Sequence, residues 1–134
     1  MSTVHLLTDE EMGDEARAVI AEMKATLRID RVPDFLRALA YHPDQLQAVW
    51  GRIKTLMDPN RADHKLKHLI ALGVCAAVGS SYFCGWHGVA LRREGATDAE
   101  IAEVLAVADL WTGLSSLVHG LGLEFEGYPG ITEE

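Results

Sequence analysis

The sequence predicts an all-α protein of six or seven helices. Three observations carry that expectation. Period-two alternation of apolar and polar residues is absent, and the β-branched residues are dispersed. Apolar residues recur instead at helical spacing. Start and stop signals, such as Thr8 with Glu11, Thr97 with Glu100, and Gly95, bracket those runs.

Taken in order, Thr8 and Glu11 form a capping box that predicts a first helix over Asp9 to Leu27. Ala16, Val19, Ile20 and Met23 make its apolar stripe. Pro33 suits the first turn of a second helix, Pro33 to Ala40. Pro43 opens a third, Pro43 to Met57, with Leu46, Val49, Trp50, Ile53 and Leu56 facing in, and Asp58-Pro59-Asn60 breaks it. A central helix is expected over Ala62 to Val78. Gly79, Ser80 and Ser81 end it and cap the next, Tyr82 to Glu94, which stops at Gly95. The Thr97–Glu100 box opens a last helix to Leu121, with a bend expected near Thr112-Gly113. Gly122 to Glu134 reads as an irregular acidic tail containing Pro129.

At 134 residues the chain is expected to be one domain, with a core over residues 31–122, an N-terminal helix over 9–27 and the tail over 123–134. A net charge of −8 argues against a nucleic-acid backbone or an anionic membrane as partner. The N-terminal MSTVHLLTDEEMGDEARAVI has no basic segment followed by an apolar run, so no secretory signal is read there. The longest apolar stretch, Leu69 to Val78, is too short for a bilayer, which takes ~20 residues. A cytoplasmic protein follows as the expectation. Cys75 and Cys84 do not form a CxxC, and in a reducing compartment both are expected as free thiols packed as small hydrophobes.

Histidine is the side chain whose ordinary pKa lies near physiological pH, so its placement matters most for chemistry. His64 and His68 are four residues apart, which puts both rings on one face of the central helix. Such a pair is half of a common metal site. His87 and His119 are the residues that would complete it, with a transition metal as the implied cofactor. The plainer roles stand beside that one. His64 sits in the polar run Arg61 to Lys67, where it is solvated. His119 beside Gly120 suits the negative end of a helix. His68 and His87 lie in apolar surroundings and need hydrogen-bond partners if buried. Ser80 and Ser81 read as N-caps. No GxSxG elbow accompanies them, and no phosphate loop or dinucleotide-binding turn is present.

The segment KHLIALGVCAAVGSSYFCGWH, followed by GATDAEIAEVLAVA and preceded by RVPDFLRALAYHPDQLQAVW, resembles the AhpD-like, or carboxymuconolactone decarboxylase-like, superfamily. The resemblance covers about Arg31 to Gly122 and implies that superfamily's all-α helical fold. In its redox-active members a Glu precedes an apolar run, a CxxC opens the next helix, and a His follows four residues after the second Cys. Without a gap, the family Glu falls on His68, the first Cys on Ser80, the second on Phe83, and the His on His87. A shifted register would use Ser81 and Cys84, leave the His one residue short and put Leu69 in place of the Glu. The gapless register is preferred.

The resemblance implies a hydroperoxide reductase or peroxidase-type antioxidant oxidoreductase acting on a small molecule. Ser80 and Phe83 cannot close the disulfide such a reaction uses, so the site is expected to work through His68 and His87, with Ser80, at the first Cys position, among its candidate catalytic residues. Cys84, one turn from His87, is the residue that would serve as a lone peroxidatic thiol. Non-redox acid–base chemistry of the decarboxylase or lactone type, a histidine metal site, and a catalytically silent scaffold remain the alternatives. The resemblance also implies a homo-oligomer, a trimer or hexamer, with Trp50, Trp111 and Leu114 to Leu123 as candidate contacts.

Overall fold

The computed structural model describes residues 2–58, 61–127 and 129. Among them there are six α-helices, one 3-10 turn and no strand. The all-α expectation holds. The chain divides into two compact units, residues 1–59 and 60–134.

The first unit contains α1 (Asp14–Leu27), α2 (Asp34–Arg37), a 3-10 turn (Ala38–Tyr41) and α3 (Pro43–Met57). The Thr8–Glu11 box forms: the Thr8 N–H donates to Glu11 Oε2 at 2.8 Å, and the Glu11 N–H donates to Thr8 Oγ1 at 3.3 Å. It closes only an isolated turn, and the helix starts five residues later than expected, because Gly13 is extended and serves as its N-cap. Asp14 and Glu15 then place negative charge at the positive end of α1. The second predicted helix shortens in the same way. It tightens into the 3-10 turn before Pro43, whose ring keeps His42 out of helical geometry. Pro43 opens α3 as expected, and Asp58 is its C-cap; Pro59 and Asn60 lie outside the described residues.

The faces of α1 and α3 meet over a closed core of Ala16, Ile20, Met23, Leu46 and Trp50, joined by Met12, Val32, Leu36 and Ala40. Trp50 is only 2% exposed. It therefore belongs to the core and not to an oligomer surface, because its ring fills the space between α1 and α3. Leu56 is exposed, against expectation, since it lies one turn beyond the region where α1 covers α3. Arg37 is buried in this unit. Its Nη1 donates to the Leu7 carbonyl at 2.6 Å and its Nη2 to Asp9 at 2.8 Å, while Lys24 reaches the other Asp9 oxygen at 2.6 Å. These bonds tie the N-terminal segment to α1 and α2.

The second unit contains α4 (His64–Ala77), α5 (Ser81–Arg93) and α6 (Asp98–Leu121). α4 packs against both α5 and α6. Asp63 caps α4 by accepting from the Leu66 N–H at 2.7 Å. At its other end the Ser80 N–H reaches the Cys75 carbonyl and the Gly79 N–H reaches Ala76, with Gly79 at φ +77°. That left-handed residue is what lets the chain reverse into α5, and glycine adopts it without the Cβ clash. Gly95 at φ +85° ends α5 in the same pattern, with the Ala96 N–H on the Leu91 carbonyl. The Thr97–Glu100 box caps α6 reciprocally, at 2.7 and 3.1 Å.

α6 is one uninterrupted helix through Thr112 and Gly113. Of its 24 residues only Ile101 is buried. It contributes to a small core of Leu72, Leu91, Ala96 and Ile101, with Leu69, Cys84 and Val104 packed against it. Beyond that core its apolar residues face out; Trp111 is 60% exposed and Leu121 63%. By length and composition α6 could cross a membrane, with a mean hydropathy of 1.5. A search for unbroken apolar runs overlooks it, because Asp109 and Thr112 interrupt the sequence. Residues 123–127 have no regular structure, and most of the expected tail beyond them lies outside the described residues.

Candidate functional site

Two sequence-adjacent helices bring the expected histidines together. α4 carries His64 in its first turn and His68 one turn later; α5 carries His87 one turn after Phe83. His68 Nδ1 and His87 Nδ1 lie 2.9 Å apart, which is hydrogen-bond distance. Their ring centroids are 5.1 Å apart with planes inclined at 53°. Phe83 lies against His87 at a centroid distance of 6.3 Å, and Tyr82 stands edge-on to Phe83 at 5.1 Å.

The contact dictates a tautomer assignment. Two Nδ1 atoms can share one hydrogen bond only if one ring carries a hydrogen there and the other presents a lone pair. The rings are therefore opposite tautomers when both are neutral, and the bond is lost when both are protonated. Burial favours the neutral forms. His68 is 6% exposed. Its pKa is pushed down to about 4, chiefly by burial and then by the neighbouring His64 and His87 rings, with Glu94 acting in the opposite direction. Burial also holds His87 below the ordinary imidazole range. A pair of neutral imidazoles, one with a free lone pair and one with a free N–H, can accept and return a proton.

The other expected residues are placed differently. Ser80 is the N-cap of α5, its hydroxyl oxygen accepting from the Phe83 N–H at 3.4 Å. That loosely held hydroxyl has a structural task first. Cys84 packs with the small core of the second unit, and both cysteines are free thiols. Burial, with the nearby Cys84, pushes the Cys75 thiol up, away from the reactive thiolate. His119 lies in the last turn of α6, exposed. Among the described residues no three His, Cys, Asp or Glu side chains are arranged to hold a metal ion. His64, His68, His87 and His119 accordingly do not form the ligand set that the i, i+4 spacing suggested. His64 turns instead to a carboxylate, its Nδ1 lying 2.7 Å from Glu94 Oε1. Glu94 was missed by sequence reasoning, because it is thirty residues away and only the α4–α5 turn brings it close.

Residues 43–123 match the family model described as "Carboxymuconolactone decarboxylase family", which is more than half of the chain. The chain belongs to that family. Its fold is similar to the crystal structure of the alkylhydroperoxidase AhpD core from Rhodospirillum rubrum ATCC 11170, with a TM-score of 0.87 and 35% sequence identity over 94% of this chain and 95% of that one. Among curated proteins none matches the chain. Membership in the carboxymuconolactone decarboxylase family supports a peroxidase-like or decarboxylase-like role. The choice between the two rests on the side chains at the site, where His68, Ser80, Phe83 and His87 stand.

Proposed function

We propose that this protein is a thiol-independent acid–base enzyme of the decarboxylase or lactone type, acting on a small organic substrate through His68 and His87. The observation that carries this reading is the 2.9 Å Nδ1–Nδ1 contact between the two rings. One ring takes a proton from the substrate and the other, bonded to it, offers a proton back. Burial supports the arrangement by keeping both rings uncharged near neutral pH. The peroxidase reading needs a thiolate, and Cys84, the residue that would supply it, packs with Leu72, Leu91, Ala96 and Ile101.

The test sets carboxymuconolactone and related lactone acids against cumene hydroperoxide with a dithiol, using wild type, His68→Gln, His87→Gln and Cys84→Ser. The expected result is carbon dioxide release or lactone turnover that falls ~10²–10⁴-fold in each histidine variant, as loss of an acid–base group does. Cys84→Ser should leave it intact. Dithiol-dependent peroxide consumption abolished by Cys84→Ser would overturn the reading in favour of a single-cysteine peroxidase. Turnover of neither class would support the silent scaffold.

We also propose that the working form is a homo-oligomer in which the outer face of α6 meets another copy. Leu110, Trp111, Leu117 and Leu121 are all more than half exposed, a patch that single-chain proteins rarely leave open. A membrane would cover it as well, but Asp109 near the middle of α6 would then cost ~2.5–3.5 kcal/mol at the bilayer centre. Light scattering at micromolar concentration should give a multiple of 14.7 kDa. A monomeric mass would remove the proposal, and partition into lipid vesicles would replace it.

A further inference from the structure

The His68–His87 pair has a neighbour that neither the tautomer argument nor the family pattern uses. His64 precedes His68 by one turn of α4, and the two rings stand edge to face, with centroids 4.5 Å apart and planes at 81°. Behind His64 lies the Glu94 carboxylate, the C-cap residue of α5, at 2.7 Å from Nδ1. Glu94, His64, His68 and His87 thus form one continuous line of contacts that begins and ends on α5 and passes through α4.

We propose that Glu94 and His64 are positioning residues for the histidine pair: the Glu94 carboxylate anchors the His64 ring through Nδ1–H, and the anchored ring fixes the orientation and tautomer of His68, so that its Nδ1 stays on His87. A carboxylate can only accept, so His64 Nδ1 must carry a hydrogen. That sets which edge His64 turns toward its neighbour. With His64 held edge to face against it, His68 has less freedom to turn its ring, so its Nδ1 stays on His87 and the bond between them keeps the two rings in opposite tautomers. The same logic orients histidines elsewhere, where a carboxylate behind the ring selects its tautomer.

A plain surface ion pair is the competing description. Both side chains are more than a third exposed, and such pairs contribute little to stability, typically ~0–1 kcal/mol. Placement distinguishes the two. The other charged groups around this end of α4 have partners of their own: Lys65 pairs with Glu100, Arg92 with Asp98, and Asp63 caps the helix. Glu94 alone among these is directed at the ring that touches His68. It is also the group that opposes the downward push on the His68 pKa.

The inference rests on His68 and His87 being the working pair, and one experiment separates the two. Full-length protein with ¹⁵N-labelled histidine is examined by long-range proton–nitrogen NMR at neutral pH, as wild type, Glu94→Gln, Glu94→Asp and His64→Phe. Wild type should show His68 and His87 as opposite single tautomers. Glu94→Gln and His64→Phe should collapse the separation between the two nitrogen shifts of His68 toward a tautomer average, and Glu94→Asp should largely restore it. Opposite tautomers that persist unchanged in both variants would overturn the positioning role and leave the pair intact. Absence of opposite tautomers in the wild type would instead overturn the pair on which the proposed function depends. Thermal unfolding of each variant identifies any that misfold; His64→Phe keeps a ring in place, so it still tests the role should Glu94→Gln fail to fold.

Discussion

The two units of this chain use their helices to different ends. The first, residues 1–59, closes a core around Trp50, Ile20, Met23 and Leu46, each at most 2% exposed. Its buried charge, Arg37, is matched by Asp9 and a backbone carbonyl. The second, residues 60–134, holds Leu72, Leu91, Ala96 and Ile101 as the buried apolar side chains among its described residues and leaves most of α6 uncovered. It also places three imidazoles in a line, His64 against His68 and His68 against His87. Apolar burial and the histidine cluster are thus separated along the sequence. One unit closes a core of its own, while the other keeps imidazoles in an apolar setting and a surface that still lacks a cover.

The largest test of that contrast is in the first unit. Trp50→Ala should destabilise by about 3–5 kcal/mol, the range for removing a fully buried large aromatic, measured by urea unfolding. A loss under ~1 kcal/mol would mean that the core around Trp50 is not closed. Next comes a matched pair of leucines. Leu46→Ala, at 0% exposure, should cost about 2–5 kcal/mol. Leu117→Ala, more than half exposed, should cost ~0.5 kcal/mol or less in a dissociated chain. If Leu117→Ala costs as much as Leu46→Ala and the loss deepens with protein concentration, a second copy covers α6.

A pH series sharpens the comparison further. The folded pKa of His68 lies below its ordinary value of 6.5, so the unfolded chain binds the extra proton. Its contribution is present above pH 6.5 and is lost as the pH falls toward about 4. Asp9, held below the carboxylate range by its hydrogen bonds to Lys24 and then Arg37, acts in the same direction but only below its ordinary value of 3.8. The melting temperature should therefore decline between pH 6.5 and 4.5, and His68→Gln should make that limb shallower, leaving the share of His87, also held below the ordinary range by burial, and the steeper acid loss. A limb unchanged in His68→Gln would place the effect elsewhere. The smallest expected effect is at a cap. Thr97→Ala should cost about 1 kcal/mol by removing the acceptor for the Glu100 N–H. A neutral result would show that water or Glu100 replaces it.

Much of this was legible in the sequence, for local reasons. Pro43, the Thr97–Glu100 box, Gly79 and Gly95 act within one or two turns, so α3, α5 and α6 start or stop within a residue or so of where those signals put them. The Thr8–Glu11 box was equally local and formed as expected, yet Gly13 stopped it from growing into a helix. Facing was less legible. Trp50 and Trp111 both lie on apolar helical stripes, and only packing decided that the first is core and the second surface. At the candidate site, His68 and His87 were identifiable by their position in a family pattern. Glu94 was not, because nothing within four residues of it marks a site.

Helicity, the bounds of most helices and the pairing of His64 with His68 on one face of α4 are written in the linear chain. Periodicity, capping and left-handed glycines are short-range properties, and a linear pattern carries them fully. Packing between helices set the rest: His68 meets His87 nitrogen to nitrogen, His64 turns to Glu94 instead of joining a metal ligand group, and α6 is left open. Those outcomes depend on how α4 and α5 pack across a three-residue turn. A shift of an ångström or two there would break a 2.9 Å contact while leaving every helix and every cap in place.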